Sequence, residues 1–356
     1  MNSKITYIHL LMHNETKFSV PLVELINNAK NDLSGEKHIF ITPHEKVYLA
    51  TNSLGKVILD ESNVNLINKY APFCKWIFVH NMSYRMLLGC KNKNLKKIIF
   101  RYWGNGLGSQ YVKNNPIKNT GKFIVNSLFF KKLSKIAAVG IANSVDEIEV
   151  SKYIKNMKYY YMPYGIGDGL TKINKLMKEE NKTGSQYKIM LGHSGYEINN
   201  HIEILQKLAR FGDKIKVFVP LSYGKTEYIK EVKEYIEKNC QDNVVVLDGF
   251  LPPDEYIKLL WSFDAAIFAS KNSCALGNIE MLVCMKKKIF LNREGTIREA
   301  FNQGNVPSVS IDEIDDMTFE QLCEPLPDYD LKNCDLAIAS GETNRARWQK
   351  IIADFN

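Results

Sequence analysis

Two sets of residues in this sequence carry groups and spacings suited to chemistry. The first is a pair of imidazoles at the ends of apolar runs. His80 closes WIFV (Trp76 to Val79) and precedes Asn81, and His13 follows ITYIHLL (Ile5 to Leu11). An imidazole titrates near neutral pH, so at a strand's carboxyl end it can take a proton from a hydroxyl, His80 as the first candidate and His13 as the second. The alternative for each is a turn histidine bonded to backbone. The second set is KIMLGHSGYEINNHIEILQKLARFG (Lys188 to Gly212). Its apolar residues end at Gly192, a polar loop follows with His193, Ser194 and Gly195, and Ile198, Ile202, Leu205 and Ala209 then recur at helical spacing. A strand that enters a helix through glycines offers backbone N–H groups and the positive end of the helix dipole to an anion. Ser194 adds a hydroxyl, and Asn199, Asn200 and His201 fall in the predicted first turn. The pattern is neither a P-loop nor a GxGxxG fingerprint, and an ordinary strand-to-helix turn uses the same letters.

These residues need a scaffold that brings strand ends to one edge. Short apolar runs at His38 to Ile41, Val57 to Leu59, Trp76 to Val79 and Lys97 to Phe100 alternate with helical stretches. Continuous apolar strands of this kind predict a parallel sheet covered on both faces, with ligands beyond the carboxyl ends. On that rule the RYWGNG run is an acceptor-side candidate, with Arg101, Trp103, Gly104 and Asn105. The second half repeats the alternation, with runs at Lys214 to Gly224, Val244 to Leu247, Ala265 to Phe268 and Lys287 to Asn292. Its strand ends supply Tyr223 or Phe250 to stack on a base, Leu251 to read its edge, a helix start at Gly277 and Asn278 for a second phosphate, Glu280 for a sugar hydroxyl, and Arg293 for diphosphate charge. The Pro/Gly-rich stretch after Tyr159 and the polar run Lys178 to Gln186 mark the boundary between two domains, residues 1–165 and 166–340. A final helix, residues 341–356, carries Trp348, Ile351, Ile352 and Phe355 and is expected to cross back to the first domain.

The net charge of +8 is unevenly placed. From Ser62 through Val145 there is no Asp or Glu, while fourteen Lys and Arg residues fall in that window. A one-signed block predicts an anionic partner. Within it, Lys118 to Val139 reads as an amphipathic helix in which Lys122, Lys131, Lys132 and Lys135 flank Phe129, the pattern of a segment lying on an anionic membrane surface. No nucleic-acid-binding pattern accompanies the charge, so nucleic acid is not expected. No run of 18 apolar residues and no signal-like start occur, which predicts a soluble or peripheral protein made in the cytoplasm. The seven cysteines are scattered without a CxxC pair, which argues against a disulfide framework or zinc site. Asp315-Asp316 sits in an acidic tail, so no metal or other cofactor is expected.

Two doubly wound halves with a phosphate loop opening the second resemble the GT-B glycosyltransferase architecture, in which two Rossmann-like domains face each other across a cleft. More specifically, GHSGYEINNHIEIL (Gly192 to Leu205), KVFVPLSY (Lys216 to Tyr223), FLNRE (Phe290 to Glu294), IFVH (Ile77 to His80) and YWGNGL (Tyr102 to Leu107) resemble the 4-acetamido-4,6-dideoxygalactosyltransferase family, glycosyltransferase family 56. The resemblance implies a nucleotide-sugar donor in the second half, such as a dTDP-linked Fuc4NAc, and a polyprenyl-diphosphate-linked glycan acceptor in the first, in surface-polysaccharide synthesis (O-antigen or common antigen). It carries over onto Gly192, Ser194, Gly195, Asn199, His201, Pro220, Tyr223, Gly277, Asn292, Arg293, His80, Trp103 and Gly104. The competing readings are a sugar-nucleotide epimerase or phosphorylase on the same frame, and a non-catalytic anion-binding protein.

Overall fold

The apolar runs of the first half become seven strands: β1 (Thr6–Leu11), β2 (Lys37–Thr42), β3 (Val57–Leu59), β4 (Trp76–His80), β5 (Ile98–Arg101), β6 (Ala138–Ile141) and β7 (Tyr159–Tyr161). All pair in parallel, in the order β3-β2-β1-β4-β5-β6-β7. The structure is a computed structural model and describes residues 6–30, 37–102, 127–152, 154–164, 169–179, 186–240, 242–331 and 341–355. The sheet is covered on both faces, which is why its central strands are mostly apolar, with single buried histidines in β1 and β4. One face packs Ile8, Leu10, Ile77, Val79, Ile98, Phe100 and Leu133; the other packs Tyr7, Leu11, Phe40, Phe78 and Ile99.

The helix Gly341–Asp354 completes that second face. Trp348, Ile351, Ile352 and Phe355 are buried in it. Their polar atoms are matched: Trp76 Nε1 donates to Phe355 O at 2.6 Å and Trp348 Nε1 to Pro163 O at 3.0 Å. The chain accordingly forms two compact units, Met1–Asp168 with Ala339–Asn356, and Gly169–Ile338.

The second unit holds β8 (Tyr187–Leu191), β9 (Ile215–Pro220), β10 (Val244–Leu247), β11 (Ala265–Phe268), β12 (Lys288–Leu291) and β13 (Val309–Ser310). These too are all parallel, in the order β10-β9-β8-β11-β12-β13. The core between these strands and their helices gathers Leu191, Ile204, Val217, Val219, Ile267 and Phe290.

The amphipathic segment is corrected by the structure. Only residues 127–133 of its described part are helical, and Ala138–Ile141 is β6, paired to β5 and β7. Gly140 packs closely on Met162: a Cβ there would lie 2.1 Å from Met162 Sδ, so a larger residue would force that side chain to move. The helix turns its apolar stripe inward, with Phe129 at 1% exposure stacked on Tyr84 at 4.1 Å, and Leu133 fully buried. Phe129 is therefore a core residue and not a membrane anchor. Lys132 is also committed, its Nζ donating to Leu88 O and Cys90 O at 2.6 Å each. Lys131 and Lys135 are exposed, and Lys122 lies outside the described residues.

Candidate functional site

In the second unit the strand order reverses beside β8, with β9 and β10 on one side and β11 to β13 on the other. At such a switch point the loops of two adjacent strands part and leave a crevice beyond the carboxyl ends. The Gly192 N–H, just past β8, donates to Ile267 O of β11 at 2.9 Å and marks that junction. Gly192 has φ +70°, and a Cβ there would meet His201 Nε2 at 2.7 Å, so its glycine is needed for both backbone and space. Three residues on, Gly195 joins the loop after β9: its N–H donates to Tyr223 O at 2.7 Å, and its carbonyl accepts from Lys225 N at 2.9 Å.

Inside this loop, residues expected to face a ligand turn inward. Ser194, Asn199 and His201 are buried. Asn199 Nδ2 donates to Ser194 O, Ser194 Oγ and Tyr196 O at 2.8, 3.2 and 3.1 Å. Burial lowers the His201 pKa to about 4, keeping the ring neutral, and burial likewise lowers that of half-buried His193. The helix begins only at His201, because Asn200 sits in the left-handed region (φ 48°, ψ 43°), and the His201 N–H donates to Tyr228 Oη at 3.1 Å. Asn199 and His201 thus brace the loop from behind, which corrects the expectation that they line it.

The better anion-facing helix start is on the other side of the switch point. The helix Leu276–Cys284 follows Ala275, whose φ of 53° is a strained value for a residue with a side chain. The Ala275 carbonyl accepts from Asn278 N at 2.9 Å and Ile279 N at 3.0 Å. The N–H groups of Leu276 and Gly277 are left without an intrahelical acceptor, as at any helix start. Gly277 is exposed, and a Cβ built on it would meet nothing within 4 Å, so a ligand can approach its backbone. Asn278 instead directs its side chain to Tyr256, and Glu280 is half-buried in the second turn.

An exposed aromatic group flanks these loops. Tyr223 and Phe250 are 47% and 80% exposed, their rings within 10° of parallel and 6.2 Å apart. Tyr196 and His193 lie edge-on to Tyr223 at 6.3 and 6.4 Å, and Leu251 is exposed next to Phe250. Flat faces left in solvent suit a planar ligand such as a nucleobase. Tyr223 also bonds Ser194, and Tyr256 faces both Tyr223 and Asn278, which links the loops after β8 and β9 to the helix start after β11. Arg293 is exposed after β12, where Glu294 pairs with Lys271 at 2.5 Å.

In the first unit, β4 runs one residue further than expected and carries His80 into the sheet. His80 is 1% exposed, and its Nδ1 lies 2.9 Å from Tyr164 Oη, so it is not an open base. Burial, with Arg101 and His13 nearby, holds its pKa well below the ordinary value. Arg101, expected to meet an acceptor, is buried as well. It donates from Nε to Met162 O at 2.7 Å, pairs with Asp146 at 3.3 Å and underlies the Tyr164 ring at 5.3 Å. His13 is half-buried near Asn81 at 3.3 Å, and burial lowers its pKa to about 4. Trp103, Gly104 and Asn105 lie outside the described residues. Sequence reasoning missed Tyr164, His9 and His38. The one signal was an imidazole set inside each of three otherwise apolar runs.

Among the described residues no group of three His, Cys, Asp or Glu is placed to hold a metal ion, and no helix is long and apolar enough to cross a membrane.

Comparison with known proteins bears on the whole chain. The model of the family described as 4-alpha-L-fucosyltransferase glycosyl transferase group 56 matches residues 50–354. Solved structures with a similar fold include a glycosyltransferase from Rickettsia africae (15% identity, 99% of this chain and 98% of that one, TM-score 0.58). HepE of Anabaena, in complex with UDP and glucose, is 12% identical, with 98% of each chain covered and a TM-score of 0.61. A UDP-GlcNAc 2-epimerase from Neisseria meningitidis is 12% identical over 99% of both chains at a TM-score of 0.52. At these identities the likeness is one of fold, and the two parallel-sheet units are those of the GT-B glycosyltransferases.

Proposed function

The chain belongs to glycosyl transferase group 56, and from that premise we propose that this glycosyltransferase moves a 6-deoxyhexose, such as 4-acetamido-4,6-dideoxygalactose, from a dTDP-sugar to a polyprenyl-diphosphate-linked glycan. The family description names fucosyl transfer, and the proposed sugar is a fucose with an acetamido group at C4. The observation that carries the donor side is the switch point, where Gly192 is bonded to Ile267 and the open backbone of Gly277 follows strained Ala275. The N–H groups of Leu276 and Gly277, with Arg293, serve the diphosphate, whose charge grows as the sugar departs. Tyr223, Phe250 and Leu251 take the base. The transfer is proposed to run without a metal, the chain's own donors meeting the developing charge.

The acceptor is assigned to the first unit, where His13, Tyr164 and Asn81 gather at the carboxyl edge of the sheet. The acid-free window supports a lipid-borne acceptor and a station on the anionic membrane face, with Lys131 and Lys135 exposed to it. The experiment is incubation with dTDP- and UDP-linked 6-deoxyhexoses, with and without a polyprenyl-diphosphate glycan. Transfer that requires the lipid glycan is expected; sugar-nucleotide turnover without it would overturn the reading.

A further inference from the structure

β2, β1 and β4 are neighbours in the first sheet, and each contributes one buried imidazole: His38 (2% exposed), His9 (0%) and His80 (1%). They form one unbroken chain. His38 Nδ1 lies 2.9 Å from His9 Nε2, His9 Nδ1 lies 3.2 Å from His80 Nε2, and His80 Nδ1 lies 2.9 Å from Tyr164 Oη. Aromatic rings enclose it, Phe40 and Phe78 at 4.9 and 4.7 Å from His9, and Trp348 at 6.4 Å from His80. Apolar rings would fill the same volume without the cost of desolvating three polar ones. A neutral imidazole has one donor and one acceptor nitrogen, so these bonds can all be made only if they run in one direction. Reversing that direction moves one proton at every bond. Of the four groups, only Tyr164 is more than marginally exposed.

We propose that Tyr164 is the catalytic group that takes the proton of the acceptor hydroxyl, and that His80, His9 and His38 act through it as a proton chain. This rests on the glycosyl-transfer reading and deepens it, moving the contact with substrate from His80 to Tyr164. As the acceptor oxygen bonds to the anomeric carbon, the bond to the nucleoside diphosphate breaks and the diphosphate leaves with the electron pair. The acceptor's proton passes to Tyr164 Oη, and Tyr164's own proton to His80 Nδ1. The His80 Nε2 proton passes to His9 Nδ1, and the His9 Nε2 proton to His38 Nδ1. The protein ends with one added proton, on a His38 imidazolium, matched by the added negative charge of the released diphosphate. The direction follows from charge: Arg101 lies on β5 beside His80, and two strand spacings, about 10 Å, carry the proton away from it.

The wild-type enzyme is compared with Tyr164→Phe, His9→Phe and His38→Gln in the transfer assay, in H2O and D2O. Tyr164→Phe should lower kcat about 100-fold or more with both KM values little changed. His38→Gln, two rings from the phenol, should also lower kcat, and both histidine variants should reduce a solvent isotope effect that in the wild type reports several protons in flight. Wild-type kcat in Tyr164→Phe overturns the proposal. A slow Tyr164→Phe beside a His38→Gln of normal rate and isotope effect overturns the chain. A second measurement is independent of turnover and of the folding of His9→Phe: nitrogen NMR of the labelled imidazoles. Tyr164→Phe should shift the tautomer balance of His38, and an unmoved His38 overturns the chain even if no transfer is ever seen. Absence of wild-type transfer with every donor, beside a shifted His38, would count against the sugar chemistry alone.

Discussion

Gly195 and Gly224 meet backbone to backbone in an isolated parallel bridge, and a Cβ on Gly224 would fall 2.2 Å from Gly195 O. Gly224 holds φ +147°, so neither space nor backbone admits another residue. Through this contact the loops after β8 and β9 form one wall, and Tyr223 is fixed by its neighbours on both sides.

Gly195→Ala therefore tests the wall. Its Cβ would sit 2.2 Å from Ile229 Cγ1, so either that side chain or the loop must shift. Nucleotide affinity should fall at least tenfold, while the melting of the first unit is unchanged. Gly277→Ala is the contrasting case. It should fold as well as the parent or gain up to about 1 kcal/mol, yet lose nucleotide affinity if its backbone contacts the diphosphate. Calorimetry with dTDP and UDP on both variants decides.

Tyr223→Ala and Phe250→Ala probe the base. Phe250 is 80% exposed, so its variant should unfold within about 0.5 kcal/mol of the parent, while Tyr223→Ala also loses the bond to buried Ser194 and should cost about 1–3 kcal/mol. Stacking of a base on an aromatic ring contributes about 1–3 kcal/mol, which is roughly a 5- to 150-fold loss in dTDP affinity. Unchanged affinity in both would remove the base from this face.

Trp348→Ala should cost about 3–5 kcal/mol, because the indole is fully buried against Phe78 and His80 and its Nε1 bond to Pro163 O is lost. Urea unfolding followed by a probe in the first unit measures it. The second unit, whose core is separate, should keep its midpoint.

Acid should weaken the fold through its neutral histidines. The His13 pKa lies at about 4 in the folded chain and near 6.5 when unfolded, and that of His80 is lowered in the same sense. Well above pH 6.5 neither state binds a proton. As pH falls toward 4 the unfolded chain takes up protons that the folded one refuses, so stability drops across that window. Urea midpoints at pH 7 and 5 should separate less in His13→Gln than in the parent; an equal separation would show that His13 does not contribute.

Charge reversal at Lys131 and Lys135 should reduce flotation with anionic liposomes, by about 1 kcal/mol for each charge removed near the surface. Phe129→Ala should act differently, lowering stability without altering lipid preference, since Phe129 is buried against Tyr84.

The alternation of apolar runs was enough to read the parallel sheets, because a strand buried on both faces is apolar at nearly every position. The glycines at 192 and 195 were legible for the same reason that makes them necessary. What the sequence hid was the direction in which polar groups point. Asn199 and His201 look like ligand donors until Tyr228, on a helix 27 residues beyond His201, takes the His201 N–H. His80 looks like a loop base until His9 and Tyr164 close around it. Phe129 shows the matching ambiguity for apolar groups, since an amphipathic helix has the same pattern whether its stripe meets lipid or protein. The left-handed Ala275 leaves no mark in composition at all.

The return of Gly341–Asp354 to the first sheet also sets an order of events during synthesis. Residues 169–338 have a core of their own, but Tyr7, Phe78 and Ile99 share theirs with Trp348, which is made long after them. Until then that face has only the helix Thr16–Lys30, with Leu22, Val23 and Ile26, to cover it, and the patch that Trp348 and Phe355 fill stays uncovered. A nascent chain paused before residue 341 should thus be the form that chaperones and proteases recognise.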